Sequence, residues 1–177
     1  MAYIADAPAI AEPRWRELVH ESLLPGVLGT WQEMGRIAES IRRDYSKGEV
    51  EALADYLTAP VPSVQREEFV DRIRSGLVAP FHYQGNPPGV EKVYDPTVHA
   101  WRITNRGRTF GDCKNMAVLS GALAMSAGLP VRLHAMKTRG ERGPFTHVRA
   151  EALTPSGWRS LDFHGNRDYP GHYYRRV

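Results

Sequence analysis

The chain has 177 residues, 42% hydrophobic and 24% charged, which is the composition of a soluble globular domain with a core of its own. The net charge is +3, but the basic residues are dispersed, with short pairs at Arg42-Arg43 and Arg175-Arg176, so no basic face marks specific nucleic-acid binding. The single cysteine excludes an intrachain disulfide and argues against a zinc finger or an iron–sulfur site; the absence of a signal-like leader or a membrane-length apolar run makes the cytoplasm, away from membranes, the expected setting.

Residues 1–13, rich in Ala and Pro, read as an arm. Trp31, Met34, Ile37, Ala38, Ile41 and Tyr45 recur at helical spacing, and Lys47-Gly48 closes that helix. Val50, Leu53, Ala54 and Leu57 predict a second helix, stopped by Pro60 and Pro62. Ser63 is the expected N-cap of a third, with Phe69, Val70, Ile73 and Leu77 on one face. Residues 80–111 carry Pro, Gly and Asn without a sustained period and read as one long loop, kept in order by Phe81, Tyr83, Tyr94 and Trp101. The run "NMAVLSGALAMSAGLP" predicts a helix buried nearly all round, with Gly128 at C′ and Pro130 as its stop. Strands are expected near 131–138, 145–153 and 157–163, the last two joined by the turn "TPSG". The fold class is therefore α+β, with a helical part over 1–77 and a core over 78–177 in one domain.

The cysteine lies in "GRTFGDCKNMA", at the entrance of the buried helix rather than inside it. A thiol there meets unsatisfied backbone N–H groups and the positive end of the helix dipole, and both favour the nucleophilic thiolate. Gly111 is expected to bring the backbone close to a substrate, and the Cys113 N–H is placed to donate to an oxyanion. Asp112 reads as a cap. Cys113 needs a base, and the base an orienter. If "TPSG" closes a hairpin, Leu153 opposes Trp158 and Glu151 opposes Ser160, which leaves His147 and Asp162 close together on one face of the sheet. A small bulge would set them opposite each other.

Together, "GDCKNMAVLSGALAMSAGLPVRLHAMK", "THVRAE" and "GWRSLD" resemble the transglutaminase-like branch of the papain-like cysteine peptidase superfamily. The separations fit, 34 residues from Cys113 to His147 and 15 from there to Asp162. "GVEKVYDP" is similar to a loop of its short bacterial and phage members. The resemblance covers about residues 80–165. It implies a Cys-His-Asp triad with Cys113 as nucleophile, His147 as general base and acid, and Asp162 as the orienter of His147. Two positions depart from the pattern: "HVRAE" lacks the aromatic residue that often follows the His, and Asn115 stands where Asp is common. The second oxyanion donor is expected from the upstream segment, as Tyr83 or, nearly as well, Trp101.

Two function classes follow. In the first, a thiol enzyme attacks a peptide or carboxamide bond of a protein or peptide substrate through a thioester intermediate, with hydrolysis (protease or amidase) ahead of cross-linking; no cofactor is needed. In the second, the same fold serves as a non-catalytic structural or assembly component, for example of a phage particle, in contact with other virion proteins; the arm or the tail "YPGHYYRRV" would then lie across Cys113. His134, His147, His164 and His172 with Asp162 raise a metal reading, but none of the spacings matches a metal motif and no metal is expected.

Overall fold

The computed structural model describes residues 17–19, 27–59, 61, 65–86, 92–137, 147–163 and 172–177. Strand β1 (Glu17–Val19) is followed by helices α1 (Val27–Asp44), α2 (Gly48–Thr58) and α3 (Arg66–Val78). Three short strands, β2 (Phe81–Tyr83), β3 (Lys92–Tyr94) and β4 (Thr109–Gly111), enclose helix α4 (Pro96–Arg106). Helix α5 (Cys113–Ser126) leads into β5 (Val131–Met136), β6 (His147–Thr154), β7 (Gly157–Ser160) and β8 (His172–Arg176). This is an α+β fold. No helix among the described residues is long and apolar enough to cross a membrane.

Helix α5 is the centre. Eleven of its fourteen residues are buried, because its small and apolar side chains let helices pack on one side and the sheet on the other. At Gly121 an added Cβ would lie 2.8 Å from Ile41 Cδ1 of α1 and 3.3 Å from Ala150 Cβ of β6, so glycine permits this double approach. Gly128 stands past the helix with φ 78°, and Leu129 N–H returns to Ala124 C=O, a left-handed C-terminal closure that glycine tolerates. One hydrophobic cluster runs from Met34 in α1 to Leu161 after β7.

The main sheet has the order β7-β6-β5-β8, antiparallel throughout. In the β6–β7 hairpin Leu153 faces Trp158 and Glu151 faces Ser160, the register expected from the turn. Strand β8 was not expected. The "HYYRR" segment has no apolar alternation, and it gains strand structure from pairing with β5.

Residues 80–111 are not one loop. They hold β2, β3, α4 and β4; β2 pairs parallel with β4 and β3 antiparallel with β1. Helix α4 starts with Asp95 as N-cap and Pro96 in its first turn, and ends on Gly107 at φ 69°, ordinary start and stop chemistry. Its apolar period is masked because its buried face also carries Thr97, His99 and Arg102. The N-cap of α3 falls on Gln65, which makes no side-chain cap bond, not on Ser63, which lies outside the described residues. The arm over 1–13 lies outside them as well.

Candidate active site

Asp112 builds the start of α5. Its Oδ1 accepts the backbone N–H groups of Lys114 at 3.0 Å and Asn115 at 3.2 Å, which caps two orphan donors. Its Oδ2 accepts from Asn86 Nδ2 at 3.1 Å and meets Lys114 Nζ at 3.1 Å, and Lys114 also reaches Glu33 of α1. This fixes the first turn, and Cys113 is its first residue. Gly111 also has a packing role. A Cβ there would fall 2.3 Å from Asn115 Cβ, so the glycine admits the Asn115 side chain.

His147 opens β6, and Asp162 lies just beyond β7. Leu161 N–H bonds Ala150 C=O, which continues the ladder past β7 without a bulge and leaves Asp162 diagonal to His147. Asp162 Oδ2 is 2.8 Å from His147 Nε2. Asp162 is anchored on both sides: its N–H donates to Ser160 Oγ at 3.1 Å, and its C=O accepts from Arg74 Nε of α3 at 3.2 Å. The Cys113 thiol hydrogen-bonds His147. With Nε2 engaged by Asp162, Nδ1 is the ring nitrogen left for the thiol. Burial alone would lower the His147 pKa; the bonds to Asp162 and to Cys113, and the electrostatic attraction of the two groups for an imidazolium, outweigh it and raise it to about 9.

Tyr83 stands at the end of β2, opposite Gly111 of β4. Its hydroxyl oxygen accepts from the Cys113 N–H. Tyr83 is exposed as a residue, but partial desolvation of its hydroxyl and the nearby Cys113 and Asp112 push its pKa up to about 12, so the phenol stays protonated. Trp101 sits in the buried face of α4 with the Arg106 guanidinium 5.0 Å from its ring centroid. Of the metal reading's residues, His134 bonds Glu151 at 2.8 Å and His147 bonds Asp162; His164 and the side chain of His172 lie outside the description. Among the described residues no cluster of three or more His, Cys, Asp or Glu could hold a metal ion.

Sequence reasoning missed one buried element of the site. His99, fully buried in α4, lies 2.8 Å through Nδ1 from Thr109 Oγ1 and 3.1 Å through Nε2 from Asn115 Oδ1. Nothing in the local pattern of α4 marks a histidine as linked to residue 115.

A cysteine-headed helix packed on an antiparallel sheet, with a His and an Asp brought to the thiol from the β6–β7 hairpin, is the arrangement of a transglutaminase-like core. The family model of the transglutaminase-like superfamily matches residues 51–163, and the chain belongs to that superfamily. A solved structure from Parabacteroides distasonis ATCC 8503, named as a candidate protease, is similar with a TM-score of 0.51 at 14% identity. The similarity covers 73% of this chain and 26% of that one, so this chain spans about a quarter of that protein, and at this identity the likeness is one of fold. No curated protein matches the chain.

Proposed function

We propose that the protein is a thiol enzyme that cleaves a carboxamide or peptide bond of a protein or peptide substrate by acyl transfer to Cys113. One observation carries this reading: the Cys113 thiol bonds His147, and Asp162 holds the far nitrogen of the same ring at 2.8 Å. In the proposed sequence Cys113 Sγ attacks the carbonyl carbon and the C–N bond breaks. His147 gives its proton to the leaving amine, and a thioester remains. Water then attacks the thioester, His147 takes its proton, and the acid leaves with the thiol restored. The Cys113 N–H and the Tyr83 hydroxyl supply the oxyanion donors; at rest the Tyr83 oxygen occupies the place on the Cys113 N–H that the substrate oxygen takes. The candidate-protease name of the structural neighbour favours water over an amine as the acyl acceptor.

The test is the iodoacetamide alkylation rate of Cys113 against pH, in wild type and His147→Ala, followed by a screen of peptide amides with and without added amine. Fast alkylation well below the ordinary thiol range near pH 8.5, lost in the variant, supports the reading. A simple thiol profile in both proteins sinks it.

A further inference from the structure

Asn115 is 1% exposed and its side chain makes four hydrogen bonds. Nδ2 donates to Lys92 C=O at 2.8 Å and Asp112 Oδ1 at 3.0 Å. Oδ1 accepts from Tyr94 N–H at 2.8 Å and faces His99 Nε2 at 3.1 Å. Two acceptors on one side of the amide fix its orientation, so His99 Nε2 must carry the ring proton and Nδ1 must accept from the Thr109 hydroxyl. Lys92 C=O and Tyr94 N–H lie on one edge of β3, two residues apart. The Asn115 amide therefore bonds β3 as a residue of a parallel neighbouring strand would, and it does so from the second residue after Cys113.

We propose that Asn115 is a positioning residue for Cys113: its neutral amide clamps β3 to the first turn of α5 and donates to the Asp112 carboxylate without adding charge beneath the thiol, and His99 supplies the second donor to its oxygen. This rests on the reading of Cys113 as nucleophile. The physical reason is the Asp112 carboxylate, which directly precedes Cys113. A like charge there opposes a thiolate, and Asn115 Nδ2 is one of the donors that offset it. The other charged or titratable groups around this turn are His147 and Asp162 from the sheet, Tyr83 from β2, His99 and Arg102 from α4, Lys114 in α5, and Glu33 from α1 through Lys114. Asp112 is the charged group that Asn115 bonds directly.

A carboxylate at position 115 would remove a donor from Asp112 and add a second negative charge beside the thiol. In the wild type burial, against the bond from Asn115 and with the nearby Arg102 cation, holds the His99 pKa down at about 3, so the native Asn115–His99 contact carries no charge near neutral pH. The amide supplies the acceptor for Tyr94 N–H and two donors, one for Lys92 C=O and one for Asp112, that an ionised carboxylate lacks.

The test compares wild type, Asn115→Asp and Asn115→Ser by the pH midpoint of Cys113 alkylation and by amide hydrogen exchange at Tyr94. Asn115→Asp is expected to raise the midpoint by about one pH unit. Asn115→Ser, which loses the donor to Asp112 and the clamp but adds no charge, raises the midpoint by clearly less than Asn115→Asp and speeds Tyr94 exchange at least about tenfold, as expected when its acceptor is lost. An Asp midpoint equal to wild type, or a Ser midpoint moved as far as the Asp one, overturns the proposal. If Asn115→Asp does not fold, Tyr94 exchange in the Ser variant decides, and unchanged protection overturns the clamp. A wild-type midpoint that ignores His147→Ala removes the nucleophile reading and this inference with it; a His147-dependent wild type with an unmoved Asp variant removes this inference alone.

Discussion

His147 Nε2 lies 2.8 Å from Asp162 Oδ2, with the histidine at the start of one strand and the aspartate just past the end of its hairpin partner. The bond to Asp162 is the largest of the effects that raise the His147 pKa to about 9, above an ordinary value of 6.5 and against the lowering by burial. The imidazolium that must protonate a leaving amine is thus available up to about pH 9. Asp162→Asn removes the charge and keeps the shape. The alkaline limb of kcat against pH should then move down from about 9 towards the ordinary histidine range, with a fall in kcat of order 10²-fold or more at pH 8. An alkaline limb that stays near 9 in the variant would mean that another group sets it.

Tyr83 and Cys113 meet through a backbone N–H and a phenol oxygen. The phenol, held near pKa 12, is a neutral donor at every working pH. As an oxyanion donor it acts on the transition state rather than on the thiol. Tyr83→Phe should lower kcat on a carboxamide substrate about 10²-fold with little change in KM, and should leave the alkylation midpoint of Cys113 in place. A variant that keeps wild-type kcat takes Tyr83 out of the chemistry.

Parts of this site are legible in the residues and parts are not, for physical reasons. Cys113 is readable because a glycine–aspartate cap before an apolar run marks a helix start. The closeness of His147 and Asp162 follows from strand alternation and a four-residue turn, so Leu153 against Trp158 fixes the rest of the ladder. Helix α4 escapes because His99 and Arg102 occupy positions where an apolar period would show. Strand β8 escapes because its partner β5 lies about forty residues away in sequence and its own pattern carries no alternation. The Asn115–His99 contact escapes for a similar reason: a buried polar pair is defined by geometry between elements, which local spacing does not encode.

Gly111 has no room for a side chain. An added Cβ would stand 2.3 Å from Asn115 Cβ and 2.7 Å from its Cγ, and Asn115 is held by four hydrogen bonds and cannot give way. Gly111→Ala should cost about 2–3 kcal/mol, seen as a drop in the urea midpoint at constant slope. Gly48 is the control. It opens α2, with nothing within 4 Å of an added Cβ, so Gly48→Ala should be neutral or stabilising by up to about 1 kcal/mol. Equal effects from the two substitutions would refute the crowding argument.

Glu151 anchors the β5–β6 part of the sheet, four residues along β6 from His147. It is 3% exposed and accepts from Arg132 Nε at 2.7 Å, Arg149 Nε at 2.9 Å and His134 Nδ1 at 2.8 Å, while Trp158 and Tyr174 cover the Arg132 guanidinium at 4.4 and 4.1 Å. Burial would raise its pKa, but these donors prevail and lower it from 4.5 to about 2. A depressed carboxylate stabilises the fold fully above its unfolded pKa, and that stabilisation fades as pH falls through the folded one. The window is therefore pH 4.5 down to about 2, and the contribution is at most about 3 kcal/mol. Other carboxylates titrate over the same range, so the difference between wild type and Glu151→Gln isolates this one. Urea unfolding at pH 7, 4.5 and 3 should show the two proteins converging as pH falls, with the variant weaker at pH 7. Curves that stay parallel from pH 7 to 3 would show that Glu151 does not hold the sheet through its charge.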